Sequence, residues 1–543
     1  MNNQEVAHIF YTIADLLEIR GEDVYKTRAY RRAADNLNEL NQDVNEYWRQ
    51  GKLTEIPGVG QAIAKKIDEL LTHGQLEFLE KLKTEIPMEV VKLLEVPDLG
   101  PKRVALIWRE LGITSLAELE NAASSGRLRD LPGLGSKSEA RILAGIQALK
   151  RRSDRILLGK AWPLAQETLA WLQEIPGVQN AQLGGSLRRM RDTVGDIDLL
   201  VATRHPELVM KAFVEHKQVA RVLSQGATKS SIEFHNGMNA QLWAHPPKRF
   251  GTALQFATGS KNHNVRLREH ALFQGLSLSD QAITLSDGGE MLCAAEEQVY
   301  ATLGLPWIPP ELREDRGEIK AARDGKLPSL ITLADMTAEL HAHTTWSDGG
   351  YTILEMAQAA LQRGLRVLAI TEHSQSLGVA RGLSVNDLRR QRREVQAVQD
   401  ELGDSLLLLH GIEVEIRADG ALDYPDEVLA ELDIVIAALH TSLRQPRAQV
   451  TQRLLNAVRN PHVDIIAHPT ARLLFKREAA DVDLEAVLEA SAETGVSIEI
   501  NANPHRLDLD DIHTRRAIEL GIPLCINTDA HSPQELDYAF YGV

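Results

Sequence analysis

From about residue 338 to the last residue, the chain alternates short apolar segments with segments of helical period, seven times over. The predicted strands are Ala338–His341, Val367–Thr371, Leu406–Val414, Ile434–Leu439, Val463–Ala467, Val496–Ile500 and Pro523–Thr528. Between them, Ile353–Arg363, Leu388–Leu402 and Leu484–Thr494 carry the helical repeat. This rhythm predicts a (β/α) barrel, an architecture that keeps its chemistry at the C-terminal ends of the strands. His341, His343 and Asp348 follow the first strand, His373 the second, and Glu413 ends the third. His440 follows the fourth, His468 ends the fifth, and Asp529 and His531 end the seventh. A lone histidine, such as His263 or His505, is usually structural. Nine His, Asp and Glu residues at one barrel mouth are a different matter.

Only two cysteines, Cys293 and Cys525, are present, which excludes a disulfide scaffold and a zinc–thiolate cluster. Imidazole and carboxylate together suit Zn²⁺, Mn²⁺ or Fe²⁺. Nine ligands are too many for one ion, so two or three metals are expected, with Glu413 as a bridge. Such a cluster lowers the pKa of a bound water and clamps the oxygens of a phosphate ester. Phosphoester hydrolysis is the natural reaction, by a phosphatase or a nuclease.

A repeat marks the other end of the chain. Leu53-Thr-Glu-Ile-Pro-Gly-Val-Gly60, Leu94-Glu-Val-Pro-Asp-Leu-Gly100 and Arg129-Asp-Leu-Pro-Gly-Leu-Gly135 share one turn pattern, each followed by a helical segment. The turns leave backbone N–H groups exposed at a helix start, a site for phosphate. Lys65 and Lys66, Lys102 and Arg103, and Lys137 and Arg141 follow them. They look like helix-hairpin-helix motifs, which grip a nucleic-acid backbone without reading sequence. The expected DNA contacts are Gly58, Gly60, Lys66, Gly100, Lys102, Gly133, Gly135 and Lys137. The net charge of −16 argues against nucleic acid only as an average. Arg151, Arg152, Arg188, Arg189 and Arg191 lie in the first half, and acidic clusters such as Asp508–Asp511 in the second.

From about residue 155 strands and helices mix. Leu183-Gly-Gly-Ser-Leu-Arg-Arg189 leads into Gly195-Asp-Ile-Asp-Leu-Leu-Val201, where alternation puts Asp196 and Asp198 on one strand face. Two such carboxylates hold Mg²⁺ or Mn²⁺ for nucleotidyl transfer, and the Gly185-Ser186 turn with Arg189 offers donors to a triphosphate. Pro306, Pro309 and Pro310, followed by the polar stretch 311–326, predict a linker.

With three helix-hairpin-helix turns, Gly185-Ser186 with Gly195-Asp-Ile-Asp198, and His341-Ala-His343, the chain resembles the bacterial X-family DNA polymerases from about residue 5 to its end. Thr258-Gly-Ser-Lys261, Pro310-Glu-Leu-Arg-Glu314 and Leu422-Asp-Tyr-Pro-Asp-Glu427 extend the match. The resemblance implies a multidomain α and α/β protein. It would have an N-terminal helical domain (1–85), a fingers-like domain (86–155), a DNA polymerase beta-like α+β palm (156–245) and thumb (246–310), a linker (311–335) and a distorted (β/α)7 PHP barrel (336–543). It implies a DNA-repair enzyme that binds gapped, nicked or 3′-ended DNA, with dNTP as substrate of the core and a Mn²⁺-dependent 3′–5′ exonuclease in the PHP domain. Ser186, Arg189 and Gly195 would contact the triphosphate beside Gly185, Asp196 and Asp198 would bind metal, and the nine barrel residues match the PHP ligand set. A cytoplasmic, nucleoid-associated location follows, and no apolar run approaches the ~20 residues of a membrane span.

The core departs from the family in three places. Gln241 stands where the family has a third metal-binding aspartate, and an amide supplies neither charge nor base. Asn236-Gly237 predicts a two-residue turn that pairs Ile232 with Gln241 and Glu233 with Ala240, which turns Glu233 to the other face. The family's Tyr-Phe pair at the nucleotide sugar reads Phe256-Ala257, and Lys66, at the lyase-nucleophile position, has Ala62 where a basic neighbour is expected. The chain also ends at Val543, where the family usually adds a closing helix, so it is either cut short or leaves the barrel less covered. Nuclease activity is expected to dominate. The alternatives are a competent gap-filling polymerase and a non-catalytic DNA-end clamp. A histidinol-phosphatase type of enzyme has no use for the hairpin repeats.

Overall fold

Three turns of one design organise the first of two compact units, Met1–Asp154. The computed structural model describes residues 1, 3–38, 44–56, 58–96, 99–153 and 155–543, and of residues 4, 38, 46, 144 and 147–153 the backbone alone. Pro57, Pro97 and Asp98 of the hairpin turns, and the side chains of Arg151 and Arg152, therefore lie outside the described residues. The Val59, Leu99 and Leu134 amides donate to Ile56, Val96 and Leu131 at 3.0, 3.1 and 3.0 Å, so the three turns close identically. Helices Gln61–His73, Pro101–Leu111 and Ser136–Ser153 follow. Gly58 and Gly133 have φ of +74° and +77°, a left-handed conformation that glycine adopts without the Cβ penalty. Behind the turns, Phe10, Ile13, Leu17, Leu37, Ile67, Leu93 and Ile107 form one buried core.

The second unit, Arg155–Val543, contains two large sheets. The first is built from β1 (Val178–Leu183), β2 (Ile197–Thr203), β3 (Val219–Gln225), β4 (Lys229–Phe234) and β5 (Asn239–His245), in the order β1-β2-β5-β4-β3. Only the β2–β5 pairing is parallel, and it sets Asp198 opposite Gln241. The turn between β4 and β5 corrects the sequence expectation. The Phe234 amide donates to Met238 O at 2.8 Å, which encloses three residues rather than two. Ser231 therefore faces Gln241 and Glu233 faces Asn239. A one-residue slip exchanges the faces, so Glu233 lies on the Gln241 face after all. It is engaged by Arg221, whose Nη2 donates to it at 2.6 Å.

The second sheet is the barrel: β6 (Ala338–Ala342), β7 (Val367–His373), β8 (Leu407–Glu415), β9 (Ile434–Ala438), β10 (Ile465–Ile466), β11 (Ser497–Asn501) and β12 (Leu524–Asn527). All seven strands are parallel and neighbour one another in chain order. A parallel bridge between Ala342 and Ala530 brings the ends together. The fifth strand is shorter than its apolar run predicts. Val435, Ala437, Ile466 and Ile498 pack outward against Val450 and Leu454 of helix Arg447–Val458 and Val487 and Leu488 of helix Leu484–Thr494. Among the described residues no helix is long and apolar enough to cross a membrane.

The stretch after Pro310 is not the free linker its polar composition predicts. Arg313 is fully buried, donates through Nη1 to Glu296 Oε1 at 2.5 Å and through Nε to Ile308 O at 2.8 Å, and lies over the Tyr300 ring. Glu296 also receives Arg188 Nη1 and Nη2 at 2.9 and 3.0 Å. Next to them, Glu318 Oε1 lies 2.6 Å from His263 Nδ1, which makes His263 the structural histidine expected. Charged residues are buried here because each meets an opposite charge from a distant part of the chain.

Burial alone would raise the Glu296 carboxyl, but Arg313 and then Arg188 hold it down at about 2. A depressed carboxyl pKa contributes stability that is present above its unfolded value and is lost as pH falls through the folded one. Glu296→Ala should cost on the order of 3–5 kcal/mol, the penalty for stranding buried Arg313. In thermal melts of the full chain at pH 7 the second unit should unfold earlier in this variant, and the gap from the parent should close toward pH 2; an unchanged midpoint at pH 7 would refute this account.

Candidate metal centre and nucleotide site

Parallel strands in register deliver their C-terminal residues to one level. His373 and Glu413 are direct partners at the ends of β7 and β8. Beside them stand His341 from β6, His440 and His468 just past β9 and β10, and Asp529 and His531 just past β12. All nine sequence-predicted residues are thus brought together, and three donor groups form among them. His343, Asp348, His373 and His531 make one, His341, His343 and Asp529 a second, and His373, Glu413 and His440 a third, each with ligand atoms within 4.8 Å of one another. Glu413 lies 2.7 Å from His373, 2.9 Å from His468 and 3.2 Å from His440.

The donor atoms fit divalent ions. His341 Nε2, both ring nitrogens of His343, His468 Nδ1 and Glu413 Oε2 are buried without a hydrogen-bond partner. Orphaned polar atoms of this kind are costly unless something coordinates them. Burial disfavours charge at His341, yet Glu499, Asp529 and Glu413 override it and hold the imidazole well up. Burial likewise acts against His373, which Glu413 and Asp348 raise to about 10. Burial and the neighbouring His531 and His373 push His343 down to about 4. Burial would raise the Glu413 carboxyl, but the histidines around it hold it well below the usual range. The carboxylates of the mouth are thus held charged and draw positive charge onto the imidazoles of His341 and His373. His468 and Asp529 have φ of +25° and +55°, rarely adopted by residues other than glycine.

A second set of residues, missed in the sequence, holds the first. Glu499 Oε1 lies 2.7 Å from His341 Nδ1, and Glu499 Oε2 accepts the His468 amide at 2.8 Å. Glu415 Oε2 lies 2.8 Å from His440 Nδ1. Asn501 Nδ2 donates to Asp529 Oδ2 at 3.2 Å. A carboxylate behind a histidine fixes its tautomer and raises its basicity toward a metal. The available signal was a buried-strand pattern broken by an acid, as in Ser497-Ile-Glu-Ile-Asn501 and Glu413-Val-Glu415.

Beside the five-stranded sheet the turn Gly185–Arg188 places the Gly185 backbone against Asp198, and Ser186 follows it in the turn. Gly185 has φ of +59°, and a Cβ there would come within 1.9 Å of Asp198 Oδ2. Burial and then the charge of Asp196 push the Asp198 carboxyl up to about 7, against Lys229 and Arg189. Gln241 Nε2 donates to Asp196 Oδ2. Gly195 directly precedes this pair. Arg189 donates to Glu314 Oε1 at 2.8 Å and to Thr258 O at 2.5 Å, so its guanidinium is already engaged. In the first unit Lys102 and Lys137 are exposed near the exposed Gly60, Gly100, Gly133 and Gly135, while Lys66 lies 4.9 Å over the Phe78 ring.

Residues 1–76 match the helix-hairpin-helix domain, 90–148 the SAM-like helix-hairpin-helix tandem, 253–314 the DNA polymerase beta thumb and 339–503 the PHP domain. A Bacillus subtilis (strain 168) protein named DNA polymerase/3′-5′ exonuclease PolX is 37% identical over 100% of this chain and 95% of its own length. Proteins named "Probable phosphatase" from Caldanaerobacter subterraneus subsp. tengcongensis and Shewanella oneidensis are each 32% identical over 36% of this chain, covering 76% and 75% of their own lengths.

Two substitutions probe these geometries. Glu499→Gln should weaken manganese binding about 10–100-fold, read by equilibrium dialysis, because the His341 ring loses its carboxylate support. Gly185→Ala should displace Asp198 and abolish dNTP binding in calorimetric titration. Parental affinities in both variants would contradict the geometric argument.

Proposed function

The chain belongs to the PolX family of bacterial X-family DNA polymerases, in which helix-hairpin-helix domains and a polymerase beta thumb accompany a C-terminal PHP domain, and on that premise we propose that its dominant activity is 3′–5′ exonuclease chemistry in the PHP barrel. The observation that carries this is the contrast between the two sites. The barrel has a full set of nine converging donors. In the palm, an amide occupies the place of a third carboxylate and hydrogen-bonds to Asp196.

Manganese is the metal we assign to the barrel, two or three ions, with Zn²⁺ or Fe²⁺ as substitutes that the same donors accept. Ions bound there would acidify a water and draw charge off the phosphate. His341, His343, Asp348, His373, Glu413, His440, His468, Asp529 and His531 hold them, and Glu499 and Glu415 fix the imidazoles. In the reaction a water oxygen bonds to phosphorus as the P–O3′ bond breaks. One water proton ends on the 3′-oxygen of the shortened strand, and a nucleoside 5′-monophosphate leaves.

The remaining parts follow the domain division read from the sequence. Residues 1–85 and 86–155 grip gapped, nicked or 3′-ended DNA through the three hairpin turns, without reading bases. Residues 156–245 and 246–310 bind a dNTP through Gly185, Ser186, Arg189 and Gly195, with Mg²⁺ or Mn²⁺ on Asp196 and Asp198. The protein acts in the cytoplasm on chromosomal DNA. A second reading, template-directed gap filling assisted by Mn²⁺, is favoured by the retained Asp196 and Asp198 pair. A non-catalytic DNA-end clamp has no use for the complete barrel set.

A 5′-labelled primer on a one-nucleotide-gapped template, with Mn²⁺ and with or without dNTPs, separates the readings. Shortening in both lanes without extension is expected, lost in His341→Ala, with extension appearing in Gln241→Asp. Robust extension by the parent chain would establish gap filling as the main activity, and unimpaired digestion by His341→Ala would overturn the barrel assignment.

A further inference from the structure

Two loops at the metal-binding face of the barrel meet the palm. The loop after β11 seats Pro504 against the first turn of helix Leu158–Glu174. Gly159 makes room for it, since a Cβ there would come within 2.5 Å of Pro504 Cβ. The loop after β10 is tied to the same place: the Leu474 amide donates to His505 O at 2.7 Å, and Arg472 Nε donates to Arg506 O at 2.8 Å. Within that loop the Lys476 and Arg477 amides both donate to Leu473 O, at 2.9 and 2.7 Å, and Arg477 Nε donates to Ala471 O at 2.8 Å. Three elements distant in sequence are thus fixed around one seam.

What they bring to it is positive charge. Lys160 from the palm helix and Lys476 from the loop after β10 are exposed. Both stand close enough to His505 that, after burial, their charges hold its imidazole below the ordinary value. His505 Nδ1 is buried with no hydrogen-bond partner. Burial and then the charge of Arg506 push Arg477 down as well. The ion pairs at the seam are Arg472 with Asp192 and Arg506 with Asp529, and among the described residues Lys160, Lys476 and Arg477 enter none. In a chain of net charge −16 this gathering of unpaired cations runs against composition. Like charges held together by a fixed backbone repel unless an anion joins them.

The inner end of the seam is the metal centre, because Arg506, next to His505, has its Nε 3.4 Å from Asp529 Oδ2. The donors His341, His343 and His468 are fully buried there, and Asp529 is 4% exposed. A phosphodiester has to descend into the mouth to reach them, and the end of an intact duplex is too wide to do so. The strand being cut therefore arrives unpaired, with its remaining phosphates trailing outward over the rim. We propose that Lys160, Lys476 and His505 hold those trailing phosphates, so that the seam between palm and barrel is the track by which a single-stranded 3′ end enters the nuclease site. Contacts of this kind go to backbone oxygens and are indifferent to base identity. The inference rests on the nuclease reading given above and adds to it the path of the substrate strand.

The test uses the full-length, manganese-loaded chain. Lys160→Cys and Lys476→Cys are mixed with oligothymidylates whose terminal linkages are phosphorothioates, to slow cutting, and which carry a thiol tether on one chosen phosphate. Disulfide cross-linking above the parent background should be strong with the tether close to the 3′ end and weak with it near the 5′ end. In Lys160→Ala and Lys476→Ala the exonuclease KM for single-stranded DNA should rise about three- to tenfold with kcat nearly unchanged. The salt dependence of log kcat/KM should flatten by about 0.7 for each lysine removed. Cross-linking that ignores tether position would overturn the proposal, as would parental KM and salt dependence in both alanine variants. A fall in kcat with loss of manganese would also overturn it, by making the lysines supports of the metal centre. Should the parent lack exonuclease activity, the nuclease reading falls, while the cross-linking still decides whether the seam holds a 3′ end.

Discussion

Glu413 is the point on which the barrel mouth converges. One buried carboxylate has five imidazoles around it: His341, His343, His373, His440 and His468 lie within 3.7 Å of its oxygens. Such density is impossible on a single helix or hairpin, because it needs side chains from several strands at one height. A parallel barrel supplies that, since successive strand ends are held in register around a ring. The fold is therefore a precondition of the cluster. The layer beneath carries the counterweight: Glu339, Glu372, Glu415 and Glu499 are all buried and all hydrogen-bonded. The donors of the candidate metal centre thus stand on a floor of buried carboxylates, each held by hydrogen bonds from neighbouring strands.

The palm obeys the opposite logic. There the sheet brings Asp196, Asp198 and Gln241 together through the parallel pairing of β2 and β5. Two carboxylates repel, and burial with that repulsion is what raises Asp198. An amide donating to Asp196 relieves the strain without any metal. A third carboxylate would deepen the anionic character and make the site depend on cations. Gln241 thus gives Asp196 a neutral hydrogen-bond donor where a third carboxylate would add repulsion.

The sequence revealed the barrel almost completely because period and chemistry agreed there. Six of the seven apolar runs are followed by the His, Asp or Glu residues singled out as ligands, and each of those residues lies at the C-terminal side of its strand. The three hairpin turns were equally plain, since Pro and Gly punctuate them at fixed spacing. What stayed hidden depended on partners far along the chain. Arg313 lies in a stretch whose polar composition reads as a linker, yet it is buried against Glu296, which also pairs with Arg188. The face of Glu233 turned on whether the Phe234–Met238 turn closed over two residues or three, a difference that local composition at Asn236-Gly237 does not fix. Glu499 and Arg506 acquire meaning only once β11 stands between β10 and β12.

One arrangement that composition left open is closed by contacts between the palm and the barrel. Arg191, just beyond the Gly185–Arg188 turn, donates to Asp511 Oδ2 at 3.0 Å, and Arg316 reaches the same carboxylate. Arg472 Nη2 lies 3.7 Å from Asp192 on the palm side while its Nε holds the backbone of the Arg506 loop. On another flank Phe540 packs 4.9 Å from Trp162. Exposed ion pairs are individually weak, but these join two loops that each border a site. The segment 188–192 anchors Arg188 and Arg189 at the palm and touches the barrel loops after β10 and β11. Coupling between sites requires such a contiguous element with partners at both ends. Here the contiguous element is five residues long, 188–192, and it ties the palm to the barrel loops that follow β10 and β11.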